Sequence, residues 1–343
     1  DVMVLTNKGP AAVIDPGIGG LAVSLAGSVL LTVTVAGWLV VFIMHAGTID
    51  FIGTLMEPIM RPVFRVPGEA AVDGIASFVS APAVGVYLTS QLYEQSVYTE
   101  QEATAIITNF SVCSLGFFGV LVSVANVVDL YPQVVLTSFI ITFILAAIVI
   151  RIPPISKKKT VYANGKVQNI HEKKEDEFKG NLISKAFALA LKTASGLTIK
   201  TVYIALWEAL KFAQKIVAYV ITIATVTMLI THYTSLFTWL GKPMIPLLQL
   251  LGMPNAAEIA PSTIVGIAEI ALPVMLLAGK DIALQSVFFI IVLSTVQIIF
   301  FTESAQAMLQ SSIPVTALDL VIIFLERTII AMPMVALAAH LLF

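Results

Sequence analysis

The chain has one cysteine, Cys113, and four histidines in 343 residues. A single thiol cannot form an intramolecular disulfide or a cysteine-built metal site, and scattered histidines offer no ligand cluster. Charge is scarce as well. Asp, Glu, Lys and Arg make up 12% of the sequence, against about 25% in a soluble domain. The net charge is only −2, and no basic run is interleaved with aromatics, so nucleic acid is not an expected partner. No nucleophile, base and oxyanion set stands out, nor a glycine-rich phosphate loop, which argues against an enzyme.

What the chain has instead is apolar surface: 58% hydrophobic residues and a mean hydropathy of +0.96. Lipid is the solvent that such a composition fits. A spanning helix needs roughly 20 mostly apolar residues, and segments 21–46, 99–126, 133–152, 202–232, 281–309 and 316–342 qualify. Two shorter apolar segments do not. Segment 70–92 is broken at Ser80-Ala81-Pro82, and 257–278 around Ala271-Leu272-Pro273. Each half is too short to span, so both are expected to be re-entrant hairpins. Non-helical backbone at membrane depth survives only where protein or a watery cavity satisfies it. Segments 49–66 and 235–251, with their charges and prolines, read as helices lying at the interface.

The pattern occurs twice. Phe42-Ile43-Met44-His45, Glu57-Pro58 and Gly74-Ile75-Ala76 are echoed by Leu229-Ile230-Thr231-His232, Lys242-Pro243 and Gly266-Ile267-Ala268. The polar break Thr108-Asn109-Phe110-Ser111 is echoed by Phe301-Thr302-Glu303-Ser304. The expected fold is all-α, with inverted structural repeats. Each repeat has an interfacial helix, a re-entrant hairpin, an interrupted helix and a spanning helix. Residues 21–152 form the first repeat and 201–343 the second, joined by 153–200. A duplicated unit in an apolar chain points to a transporter with its solute site between the copies.

Eleven of the 19 Lys and Arg residues lie between 151 and 200, which places the linker 153–200 in the cytoplasm by the positive-inside rule. Residues 156–179 read as a solvated loop and 181–195 as an amphipathic surface helix. Both ends of the chain then face outward, and three spans per copy make the copies inverted. The chain starts at Asp1 rather than Met, and an outward start without a leader fits upstream helices.

The motifs GIASFVSAPAVG, TNFSVCSLG, PSTIVGIAEIALP and FFTESAQ resemble those of membrane proteins carrying the Gate, or nucleoside-recognition, domain, especially the YjiH-type branch. The arrangement is similar to the scaffold of the concentrative nucleoside transporters. That resemblance implies solute contacts at the hairpin tips and interrupted helices, with coupling sodium beside the first hairpin. The matching positions for solute are Ser77, Ser80, Asn109, Glu269, Thr302, Glu303 and Gln306. For ion coupling they are Thr108, Asn109, Ser111, Ser114, Glu303 and Ser304. Pro82 and Pro273 mark the tips. One departure is notable: the first tip reads Ser77-Phe78-Val79-Ser80, without the Gln-Thr-Glu cluster that grips the base in nucleoside transporters.

Glu269 and Glu303 carry the most information. A carboxylate at the centre of a spanning helix costs about 2.5–3.5 kcal/mol on insertion scales, so it faces a cavity or a partner. Hydroxyl and amide oxygens at Asn109, Thr108 and Ser111 suit Na⁺, and interhelical hydrogen bonding is the alternative. Glu326 and Arg327 read as a structural pair that neutralises itself or reaches backbone groups. His45 and His232 read as interface anchors, and Trp38, Trp207 and Trp239 as interfacial or packing aromatics. Glu208, Lys211 and Lys215 read as a polar stripe.

The expected function is therefore a secondary transporter of a small polar solute, coupled to Na⁺ or H⁺. Its setting is the bacterial inner membrane, as a homo-oligomer in a lipid bilayer. No cofactor is expected beyond Na⁺ as coupling ion. The alternative is a Gate-domain partner or gating subunit that transports nothing by itself. In a Cys113→Ala background, Lys166→Cys should react with an impermeant maleimide only from the cytoplasmic side, and Lys280→Cys only from outside. The reverse labelling would overturn the topology.

Overall fold

The computed structural model describes residues 2–6, 8–20, 47–168, 181–193, 199–277 and 280–343, together with 23, 26, 27, 30, 31, 34 and 35. Trp38, His45 and most of the first expected span lie outside them, as do residues 169–180 and the side chains of Glu208 and His232. Among the described residues the chain is helical, with two isolated β-bridges and no strand.

After two single-turn helices near the start, α1 (Thr48–Ile59) continues into a π-turn, Met60–Phe64. Two packed helices follow, α2 (Ala70–Val79) and α3 (Pro82–Glu94). Next come α4 (Glu100–Asn109), α5 (Leu115–Val124) and α6 (Tyr131–Val149). The linker holds α7 (Leu182–Thr193), and α8 (Ile199–Tyr233) is an unbroken helix of 35 residues. Short helices α9 (Leu236–Gly241) and α10 (Ile245–Leu250) precede α11 (Ala256–Val265) and α12 (Leu272–Met275). The chain ends with α13 (Leu284–Gln297), α14 (Ser304–Gln310) and α15 (Ala317–Leu342). A helix pair, an interrupted helix and an unbroken helix thus follow one another in both halves.

Local chemistry explains the first pair. Residue Ala81 is extended (φ −161°, ψ 154°), the conformation a following proline enforces. Pro82 then opens α3 where its missing N–H costs nothing. At Gly85 a Cβ would stand 2.9 Å from Ser77 Cβ and 3.1 Å from Asp73 O, so glycine lets the two arms touch. Lower down, buried Asp73 accepts from Thr89 Oγ1 at 2.8 Å and from Tyr98 OH at 2.6 Å. That carboxylate pins α2 to α3 and to the turn beyond.

The second pair departs from expectation. Its helix stops at Val265, and residues 266–271 are unwound before α12 begins. The break therefore ends at Ala271 instead of centring on Ala271-Leu272-Pro273, and Pro273 sits in the first turn of α12. The cause is tertiary. The carbonyls of Ile267 and Ala268 turn away to accept from Phe301 N at 2.8 Å and Thr302 N at 3.1 Å.

Two large apolar clusters form the core, and each mixes the halves. One joins α1–α4 to α14 and the start of α15; the other joins α5 and α6 to α10, α11, α13 and the rest of α15. Residues 288–297 of α13 are all buried, as befits a helix apolar on every side. Helices α6 and α15 are the two long and apolar enough to cross a membrane among the described residues, as Val128–Val149 and Ala317–Leu342. Both leave apolar side chains exposed, including Leu136, Ile140, Ile322 and Ile329. Segments 99–126 and 281–309 each consist of two half-helices, divided at the polar breaks noted in the sequence.

The described part of the linker is docked rather than free. Gln168 Nε2 donates to Glu102 Oε1 at 3.0 Å, Gln101 Nε2 to Ser156 O at 3.1 Å, and Lys158 Nζ to Asp319 Oδ2 at 2.9 Å. Arg61 bridges Glu57 and Glu102 at 3.0 and 2.7 Å, tying α1 to the base of α4. Expected as a solvated loop, residues 156–168 strap the start of α4 to that of α15, because their backbone and amides find partners there.

Overpacking a tight contact costs about 1–3 kcal/mol. Gly85→Ala should lower the unfolding temperature in detergent well below that of Gly116→Ala, whose Cβ would meet only Ser114 Oγ at 4.0 Å. Equal melting of the two variants would reject the close approach of α2 and α3.

Candidate functional site

Four discontinuities meet in the interior: the link between α2 and α3, residues 110–114 between α4 and α5, residues 266–271, and residues 298–303 between α13 and α14. Each leaves backbone groups without helical partners, and buried groups of that kind must be satisfied elsewhere. They satisfy one another. Ser77 Oγ donates to Val112 O at 2.7 Å, fixing the first pair to the first break. Phe301 and Thr302 fix the second break to residues 267 and 268 through the backbone bonds already described.

The second break is the more elaborate. Ile298, a β-branched residue, has φ 63°, a left-handed conformation that such a side chain rarely adopts. Ser304 closes the loop: its Oγ donates to Ile298 O at 2.6 Å and accepts from Phe300 N at 3.0 Å. Between them, Thr302 Oγ1 donates to Glu269 Oε2. Ala271 N also reaches the Glu269 carboxyl, at 3.3 Å. Glu269 is buried, 2% exposed.

Glu303 stands between the halves. Its Oε1 accepts from Ala83 N, in the first turn of α3, at a long 3.5 Å. The N-terminal end of a helix favours such a negative group. The two carboxyls are linked through the second break, since Glu269 accepts from Thr302, the residue before Glu303. Among the described residues neither forms an ion pair with Lys or Arg.

The first break is anchored differently. Asn109, the last residue of α4, is fully buried; its Nδ2 donates to Ala105 O at 2.9 Å and its Oδ1 accepts from Arg327 Nη1 at 2.6 Å. Arg327 also donates to Val296 O from Nε at 2.9 Å and from Nη2 at 2.6 Å. It does not pair with Glu326, whose Oε2 is buried without a partner, so the expectation of mutual neutralisation is corrected. Consecutive helix residues point in different directions, and Arg327 takes the backbone route instead. Next to Val296, Gln297 Nε2 bonds Thr263 O and Thr328 Oγ1, both at 2.8 Å.

The remaining positions divide by how fully they are engaged. Thr108 Oγ1 donates to Thr104 O at 2.7 Å and accepts from Asn109 Nδ2 at 3.2 Å. Ser80 Oγ folds back to Ala76 O, and Ser114 caps α5 by accepting from Phe117 N at 3.4 Å. Ser111 and Gln306 are buried at the break before α5 and in the first turn of α14. Arg327, Gln297 and the Ala83 amide were not among the site residues anticipated from sequence. A charged residue in an apolar helix was a visible signal for Arg327, but its neighbour Glu326 supplied a plausible local partner.

With that geometry in place, comparison with known proteins identifies the chain. Residues 26–128 match the family model described as Gate, nucleoside recognition, a stretch containing α1 to α5. An uncharacterized protein of Alkalihalophilus pseudofirmus is 35% identical over 347 residues, covering 100% of this chain and 74% of that protein. The sporulation integral membrane protein YlbJ of Bacillus subtilis is 35% identical over 81 residues, 21% of this chain and 20% of that one. No solved structure matches. The chain belongs to the Gate, or nucleoside-recognition, family of integral membrane proteins.

Proposed function

We propose that this protein is a secondary transporter of a small polar solute, nucleoside, nucleobase or amino-acid-like, coupled to Na⁺ or H⁺. The observation that carries the reading is the placing of two carboxyls on the unwound turns of both halves, Glu269 bonded to Thr302 and Glu303 facing Ala83 N. Unwound backbone at membrane depth is tolerated around a polar cavity, and broken helices present the charged ends that bind solutes and ions. Glu303 is the residue best placed to exchange partners, because its contact with Ala83 N is long and spans the two halves.

In this reading the halves are inverted repeats in the bacterial inner membrane, α2–α3 and residues 256–275 are re-entrant hairpins, and the linker is cytoplasmic. Solute binds between the hairpin tips and the interrupted helices, contacting Ser77, Ser80, Asn109, Glu269, Thr302, Glu303 and Gln306. Thr108, Ser111, Ser114 and Ser304 shape the breaks at which an ion couples. The hairpins and interrupted helices move against a static frame that includes α8, whose apolar surface also suits an oligomer interface. The protein carries no cofactor and performs no covalent chemistry. A second reading, a gating or partner subunit, is supported by the Bacillus subtilis relative, whose name refers to sporulation rather than to a solute.

Purified protein in liposomes should accumulate labelled nucleosides, nucleobases or amino acids when an ion gradient is imposed. Removing a charged hydrogen-bonding group costs about 1.5–3 kcal/mol, so Glu303→Gln should reduce uptake by roughly tenfold or more while remaining folded in detergent. Unchanged kinetics would reject the role given to Glu303. No uptake of any solute, together with a stable co-purifying membrane partner, would favour the second reading.

A further inference from the structure

Among the described residues Arg327 is the largest fully buried side chain, 0% exposed, and no carboxylate there pairs with it. Its acceptors are all neutral: the side-chain oxygen of Asn109 and the carbonyl of Val296. A buried guanidinium ordinarily requires a counter-charge, and arginine does not shed its proton in proteins.

The location supplies the answer. Asn109 is the last residue of α4, and Val296 is the last but one of α13. The guanidinium therefore sits where the first arm of each interrupted helix ends. Every helix C-terminus carries roughly half a negative charge, so two such ends together offset about one positive charge. Carbonyls at half-helix ends of this kind are also what hold Na⁺ in broken-helix transporters. Oxygens at these helix ends are already engaged. Asn109 Oδ1 and Val296 O accept from Arg327, and Thr108 Oγ1 is held by Thr104 O and Asn109.

We infer that Arg327 is a resident, tethered cation that occupies the position between the ends of α4 and α13 where a soluble Na⁺ would otherwise be bound, so that the protein has no Na⁺ requirement at this centre. The inference deepens the transporter reading and rests on it for its consequence: between these two helix ends the positive charge is carried by the protein itself and is not exchanged with the solution during transport. It also makes Arg327 a positioning residue, holding both interrupted helices in register without touching solute.

The test reads ion occupancy without transport, so its failure is separable from failure of the transporter reading. Full-length protein in detergent is melted in NaCl and in choline chloride at equal ionic strength. The two curves should coincide. A Na⁺-specific rise of about 4 °C, as expected for a site filled at about 100 times its Kd, would overturn the inference. Arg327→Ala vacates the position; it should melt lower in choline and regain stability on adding millimolar Na⁺ or guanidinium, which the wild type ignores. An Arg327→Ala protein that melts like the wild type, or that responds to neither cation, also overturns it. If Arg327→Ala does not fold, Arg327→Lys keeps the charge and should stay insensitive to Na⁺. Stabilisation of Arg327→Lys by Na⁺ would count against a filled position.

Discussion

Everything in the interior depends on one constraint: backbone unwound inside an apolar body must find hydrogen bonds. A buried amide left without a partner costs about 1–3 kcal/mol, and four breaks in one small volume would leave many. They are satisfied by one another. Ser77 binds Val112 O, residues 301 and 302 bind the carbonyls of Ile267 and Ala268, and Ala83 N turns toward Glu303. Each helix pair is thereby bonded to an interrupted helix rather than only packed against it. Shifting a pair means re-forming those bonds, which is the physical basis for coupling the breaks.

Charge is distributed under the same constraint. Arg327 finds its compensation in helix ends and amide oxygen. Glu269 is held by Thr302 Oγ1 and by the amide of Ala271. Among the described residues the Glu303 side chain has one contact, and it is long. These groups form a gradient from fully fixed to loosely held, and the loosest lies where the halves touch. Asp73 belongs to the fixed end: two hydroxyls, of Thr89 in α3 and of Tyr98 in the turn beyond it, hold its carboxylate.

The first helix pair was legible because its break is a local matter. Proline at position 82 forces Ala81 to be extended and opens the next helix, so Ser80-Ala81-Pro82 could be read as the turn. The second was misplaced because proline tolerates the first turn of a helix. There the unwinding from Gly266 onward is imposed by bonds to residues 301 and 302, far away in sequence. The linker shows the same limit. Its lysines signalled a polar surface, yet the pairing of Lys158 with Asp319 and of Gln168 with Glu102 joins segments that no local pattern connects.

By itself, then, the sequence determined the solvent, the helical content, the repeated element order and most breaks, because composition, periodicity and proline stereochemistry act over a few residues. Tertiary structure alone decided which breaks are bonded to which, and that Arg327 turns from its neighbour Glu326 to the ends of α4 and α13. A buried charge takes whatever partners lie nearest in space, and chain order does not reveal them.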